Sequence, residues 1–526
     1  MSWCKALSWA LALWCAAAGA GPLADLAGAD PAERAGLIES WAPRPDAERR
    51  AAVAALEEGR LLQSADGRRV LWLRPDGALG DAVSGQPAAG DAASLEPLPL
   101  NNRLRGALAV FHAVDELAAA DAVRRLAAVR VLADSANPAL LPLLRNRLAR
   151  EGDAELRRAL EQACARLSLA SPDPAQRRAA AAALADSGDP AALALLAPLT
   201  DAASESDAGV RDAATSAQAA IRASVQVDNL LGAAFAGLSL GSVLLLAALG
   251  LAITYGLLGV INMAHGEMLM LGAYVSYAAQ SLFQSRWPAA ADAYLALALP
   301  AAFLFTAGVG MALERLVIRH LYGRPLETLL ATWGISLALM QLVRTLFGAQ
   351  NVAVANPGWL TGGWVLSPAL TLPYNRIAVI LFSALTLGLV WLALNRSRLG
   401  LFVRAVTQNR SMADSLGVAT GRVDMLAFGL GSGIAGLGGV ALSQIGNVGP
   451  DLGQGYIVDS FMVVVLGGVG QLAGAAWGAL GLGVANKLLE PALGAVLGKI
   501  LILAGIILFI QKRPQGLFAL KGRAVD

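Results

Sequence analysis

FVRAVTQNRSMADSLGVATG, residues Phe402–Gly421, is a polar and basic stretch set between two long apolar runs. Arg396, Arg398, Arg404, Arg410 and Arg422 cluster in and around it. Short loops rich in Arg and Lys beside membrane spans stay cytoplasmic, so the stretch reads as a cytoplasmic loop of a polytopic membrane protein. From Ala405 to Leu416 neither Pro nor Gly interrupts it. Val406, Met412, Ala413 and Leu416 are spaced to share one face of a short helix, which Gly417 is placed to end. The apolar side of such a helix is covered either by the flanking spans or by a separate partner.

The flanking runs belong to a chain of 526 residues that is 56% hydrophobic and 15% charged. That composition excludes an ordinary soluble domain, and runs of roughly 20 apolar residues recur after the acidic residues thin out at Asp228. Spans are expected near 236–257, 262–283, 294–313, 326–347, 376–394, 423–445, 456–470, 472–489 and 494–511. The run 456–470 is short for a full crossing, which leaves a broken or re-entrant element open there. Arg315, Arg319 and Arg324 fall in one loop, the 396–410 arginines in another, and Lys512, Arg513, Lys521 and Arg523 at the end. All become cytoplasmic if the N-terminal region is outside and nine segments cross. The loop Gly348–Asn375, with Trp359 and Trp364, then lies outside.

Before the spans, residues 1–20 read as a secretory signal, with Lys5, an apolar core and Ala18-Gly19-Ala20 as a cleavage pattern. Residues 21–225 read as a soluble, mostly helical, periplasmic region and 226–526 as the membrane domain. Leu132-Ala133-Asp134-Ser135, Asn137-Pro138 and Leu143-Leu144 return as Leu184-Ala185-Asp186-Ser187, Asp189-Pro190 and Leu195-Leu196, an offset of 184 − 132 = 52. Each copy reads as a helix, a short turn and a second helix whose apolar face a neighbour must bury, as in a solenoid. The pattern resembles HEAT-type repeats. Ser64–Arg68 before Val70–Leu73 suggests a hairpin with an Asp-Gly turn, and residues 80–100 read as a linker. The fold class expected is all-α.

Motifs that mimic chemistry fail their context. Gly431–Gly436 matches G-x-G-x-x-G without a preceding strand, and with Gly429 and Gly439 it gives a helix small-residue faces for close packing. Gly237–Gly241 matches a nucleophile elbow inside a span, and Gly494–Lys499 is one residue short of a phosphate loop. No ATP site of its own, no cofactor, no metal site and no nucleic-acid partner is expected. Cys4, Cys15 and Cys164 and the scattered His112, His265 and His320 offer no cluster.

Asn262, His265 and Glu267 interrupt an otherwise uncharged run from Asn229 to Ser285. At membrane depth such groups face protein or a watery cavity and are functional by default; in a tight cytoplasmic turn water would reach them instead. Asp459 reads as an interfacial anchor, Lys487 and Glu490 as an i,i+3 pair, and Lys499 as snorkelling or joining that pair.

GLLGVINMAHGEMLMLGAY (256–274), RAVTQNRSMADSLGV, ERLVIRHLYGRPLETLLATWG (314–334) and QKRPQGLFALKGR (511–523) resemble the permeases of the branched-chain amino acid family of ABC importers. The resemblance covers roughly Leu230–Arg523; Met263 stands where Phe is common. GPDLGQGYIVDSFMVVVLGG, with the N-terminal extension, is most similar to the members that carry urea. The resemblance implies a transport subunit, not an enzyme, in the inner membrane and its lipid. It implies a second related permease, two ATPase subunits, a periplasmic substrate-binding protein and a small-molecule substrate. Asn262, His265 and Glu267 would line the pathway, and Arg404, Gln408, Asn409, Arg410, Asp414 and Gly417 would couple to the ATPase. The alternatives are a branched-chain amino acid or short-amide permease, a membrane-anchored interaction protein, and a proton-coupled secondary transporter.

Overall fold

The computed structural model describes residues 21–64, 69–74, 78–84, 86–88, 95–135 and 137–518. The expected signal at 1–20, the hairpin turn and the last basic residues, Lys521 and Arg523, lie outside them. The chain divides into two compact units, Met1–Val225 and Gln226–Asp526.

In the first unit, α1 (Pro22–Gly28), α2 (Pro31–Trp41) and α3 (Ala47–Glu57) precede a small sheet. Strands β1 (Leu61–Gln63), β2 (Val70–Leu73), β3 (Leu79–Asp81) and β4 (Glu96–Pro97) pair in the order β3-β2-β1-β4. The expected hairpin is there, with Leu62 opposite Leu71. The expected linker is not wholly one, because Gly80, Asp81, Glu96 and Pro97 pair in the sheet. The all-α expectation is corrected by the same strands.

Helices α4 (Asn102–Glu116), α5 (Ala122–Asp134), α6 (Leu141–Leu148), α7 (Ala154–Ser168), α8 (Pro174–Ala185) and α9 (Pro190–Leu196) follow, and α10 (Ala208–Leu258) gives the unit its first residues. The 52-residue offset links α5 and α6 to α8 and α9, with α7 between the copies. Asn137 and Asp189 cap equivalent turns by accepting from Ala139 N and Ala191 N. A further likeness keeps the offset between its first two members and recurs a third time outside it. Asp121, Asp173 and Asp207 accept from backbone N–H groups at the starts of α5, α8 and α10, and four residues on stand Arg125, Arg177 and Arg211. Each arginine donates to two carbonyls of the turn just before: Ala119 and Ala120, Ser171 and Pro172, Glu205 and Ser206. The carbonyls of each approach turn are thereby satisfied. Arg177 also bonds both oxygens of Glu205 at 2.7 Å, which holds that carboxyl below its ordinary range.

The second unit takes the rest of α10. It adds α11 (His265–Arg286), α12 (Tyr294–Leu316), α13 (Pro325–Phe347), a two-stranded hairpin of β5 (Gly363–Ser367) and β6 (Leu370–Pro373), and α14 (Tyr374–Arg396). Then come α15 (Arg398–Gln408), α16 (Arg410–Ser415), α17 (Thr420–Ser443), α18 (Leu452–Gly467) and α19 (Leu472–Lys512). Among the described residues 6 helices are long and apolar enough to cross a membrane. The more polar α11 and the 16-residue α18 are the remaining expected spans. Gly494, at φ 78°, divides α19 into two arms that correspond to the last two expected spans.

The most apolar stretches of α10 and α17 are mostly buried, whereas those of α13, α14 and α19 are mostly exposed. Glycine explains the central packing. A Cβ on Gly272 would collide with the carbonyl of Gly436, and one on Gly439 with the carbonyl of Leu269. The small-residue face expected of 429–439 therefore brings α11 and α17 into backbone contact.

Candidate functional site

Helix α10 gives way to a non-helical stretch at Gly259, whose φ of 68° suits glycine, and regular structure resumes only at His265. Three bonds locate this stretch. Asn262 Oδ1 accepts from Ala264 N at 3.0 Å, Met263 N donates to Thr332 Oγ1 at 3.1 Å, and Ser336 Oγ donates to Glu267 Oε1 at 2.8 Å. Ser336 is the middle residue of the 23-residue α13, so α11 begins half way along a spanning helix. Asn262, His265 and Glu267 are all buried, which corrects the picture of a turn open to water. Non-helical backbone at membrane depth persists only where protein or a water-filled cavity covers it.

The three residues do not form one cluster. His265 Nε2 lies 3.0 Å from the Ala247 carbonyl, and its ring packs on α10 where a Cβ at Gly250 would stand 2.7 Å from Cε1. Glu267 faces α13 instead, so the two do not pair. Asn262 Nδ2, His265 Nδ1 and Glu267 Oε2 are buried with no hydrogen-bond partner among the described residues. Thr332 and Ser336 are additions that the sequence did not signal, because each stands 69 residues from its partner.

The basic loop differs from the single helix expected over Ala405–Leu416. Asn409, at φ −155° and ψ 102°, separates α15 from α16 and caps α16 by accepting from Met412 N at 2.9 Å. An Asn side chain competes with the helical backbone in this way. Gly417, at φ 84°, ends α16 as expected. The proposed common apolar face splits. Val406 and Ala413 are buried, whereas Met412 and Leu416 are 57% and 77% exposed, as are Leu401 and Phe402 in part.

Two arginines of the loop are bonded to the helices that flank it, although both remain partly exposed. Arg410 Nη2 pairs with the buried Asp424 at 2.5 Å, and its guanidinium lies 4.7 Å from the Tyr322 ring centre. Arg404 Nη1 donates to the Leu394 carbonyl, and Asp414 accepts from Thr420 Oγ1 at 3.4 Å. Gln408 is exposed. Elsewhere Lys487 Nζ pairs with Glu490 at 2.6 Å as expected. Lys499 does not join them; it pairs with Asp459 at 2.8 Å.

Residues 233–510 match the family described as branched-chain amino acid transport system / permease component. The chain belongs to this permease family. It is similar to the high-affinity branched-chain amino acid transport system permease protein BraD of Pseudomonas aeruginosa, with 30% identity over 287 residues, 53% of this chain and 93% of the relative. It is 31% identical to LivH of Escherichia coli over 291 residues, 54% of this chain and 93% of the relative. A probable LivH of Methanocaldococcus jannaschii is 27% identical over 293 residues, 52% and 88%. No solved structure matches the chain.

The permease is thus a membrane-embedded subunit of an ABC transporter of the branched-chain amino acid type, and not an enzyme. The family implies ATPase and substrate-binding components and a second permease. The matched residues 233–510 lie within the second unit, Gln226–Asp526.

Proposed function

We propose that the permease forms half of a route for branched-chain amino acids into the cell. Support comes from the relatives BraD and LivH, both branched-chain amino acid permeases that align along nearly their whole length. Urea is the second reading, favoured by the run GPDLGQGYIVDSFMVVVLGG and by the helical unit that the aligned region leaves out; the comparisons give it no support. The route passes the unwound start of α11, where Asn262 and Glu267 turn free polar atoms away from their own bonds while His265 fixes α11 to α10. Broken helices at mid-depth are where transporters hold their substrates.

The stretch α15 to Gly417 is the ATPase contact. Met412 and Leu416, with Gln408, Asn409 and Asp414, form its exposed side, and Arg404 and Arg410 hold its shape through their bonds to Leu394 and Asp424. Two ATPase subunits, one further permease and a periplasmic binding protein complete the importer. The HEAT-like unit 21–225 lies in the periplasm, follows a cleaved signal and offers the binding protein a surface. The C-terminus is cytoplasmic, an orientation supported by the arginine asymmetry. A cysteine at Ser204 should react with an impermeant thiol reagent on intact spheroplasts and one at Ser411 should not; labelling at Ser411 reverses the orientation.

The deciding experiment is ATP-driven uptake by the complete importer in proteoliposomes, with labelled leucine and labelled urea in parallel. Leucine uptake is expected, and Glu267→Leu should abolish it without lowering the amount of assembled complex. Uptake of urea alone selects the second reading. Normal leucine uptake by Glu267→Leu removes the start of α11 from the route.

A further inference from the structure

The permease carries four charged side chains in one cavity away from the start of α11. The cavity measures about 550 Å³ and lies among α10, α18 and α19. Asp459 comes from α18; Lys487 and Glu490 precede the Gly494 bend of α19 and Lys499 follows it. The bend is what folds both arms onto the same space. Lys499 Nζ bonds Asp459 Oδ2 at 2.8 Å, and Lys487 Nζ bonds Glu490 Oε2 at 2.6 Å. Lys499 is half exposed while Asp459 is nearly covered. Ionisable groups in membrane helices face protein or a watery cavity, because lipid contact is costly.

The charge pattern narrows the ligand. Two ammonium groups and two carboxylates balance, so an ion of either sign meets a repelling group beside every attracting one. A neutral molecule such as urea has nothing to exchange with the pairs. A zwitterion does: its ammonium can take the place of Lys499 on Asp459 while its carboxylate takes the place of Asp459 on Lys499. Every charge stays paired throughout, which avoids the cost of a bare buried ion. The same cavity is lined by Leu240 and, at its open rim, by the exposed Val496 and Ile500, apolar surface for a branched side chain. Helix α18 also borders the start of α11, since a Cβ on Gly266 would meet the Gly453 carbonyl at 2.5 Å.

We propose that this cavity is a subsite for zwitterionic amino acids on the route through the permease. The inference rests on the amino acid reading and names the side chains that would recognise both ends of the substrate. The Lys499–Asp459 pair is the gate of the subsite, opened by exchange with the ligand's own charges.

The test uses the complete importer in proteoliposomes. Asp459→Asn with Lys499→Gln removes both charges together, so neither is left without a counter-ion. Leucine uptake should fall by about tenfold or more at unchanged amounts of assembled complex, since both charge-assisted contacts go and the loss of one alone is of about that size. Unchanged uptake overturns the subsite and leaves the amino acid reading standing. A wild-type importer that moves urea and not leucine overturns both. A second measurement covers failure of the double variant to assemble. Val496→Cys, in a chain whose Cys4, Cys15 and Cys164 are replaced by serine, should react with a water-soluble maleimide. Turnover with leucine-loaded binding protein and ATP should slow that reaction. A cysteine that does not react, or that leucine does not protect, overturns the proposal.

Discussion

Arg410→Glu is expected to destabilise the basic loop and abolish uptake together. Asp424 is completely buried and its cation is Arg410, at 2.5 Å. Reversal removes that cation and sets a second carboxylate in its place. Breaking a buried pair from one side costs about 3–5 kcal/mol, and the half-exposed position of Arg410 puts the loss toward the lower end. The guanidinium also leaves the Tyr322 ring, which removes a cation–π contact. The measurement is the melting temperature of the purified permease beside its transport rate. Arg410→Gln combined with Asp424→Asn should recover most of the lost stability, because no bare charge remains. An Arg410→Glu permease that melts like the wild type would show that the residue acts only in docking.

Gly439→Ala should be worse than most substitutions at exposed loop positions. One added methyl group would strike the Leu269 carbonyl and stand 2.7 Å from Ala273 N. Both obstacles are backbone of α11, so no rotamer change relieves them. The helices must separate, and the contacts among Gly272, Gly436 and Gly439 loosen together. Overpacking by side chains alone costs about 1–3 kcal/mol, and a backbone obstacle sets that as a lower bound. The expected result is little monodisperse permease after detergent extraction. Gly446→Ala is the control, since nothing lies within 4 Å of a Cβ there. Equal yields of the two variants would refute the close contact of α11 and α17.

Much of this architecture is a local property of the chain, and local properties are legible. Each expected span falls largely within a helix, the last two as the arms of α19, because apolar length is written in consecutive residues. The end of α16 at Gly417 and the strand Val70–Leu73 were legible for the same reason. So was the small face of α17, since glycine spacing is itself a helical pattern. The polarity of Asn262, His265 and Glu267 singled out the stretch where the backbone leaves the helix and buried polar atoms lack partners.

What the sequence could not determine is which distant group each of these residues meets. The depth of Glu267 follows from Ser336, and the role of Arg410 from Asp424. Lys499 was expected to snorkel or to join the Lys487–Glu490 pair, and instead bonds Asp459 across 40 residues because Gly494 turns the chain back. The break at Asn409 shows the same limit on a smaller scale, since an uninterrupted stretch yielded to one side chain's bond with the backbone. The sequence by itself determined where the apolar helices, the basic loop and the residues too polar for lipid lie, because hydropathy and charge are summed along the chain. Only the tertiary structure decided which of them share a cavity, which are tied inward and which remain free, because those energies depend on distances that chain order does not contain.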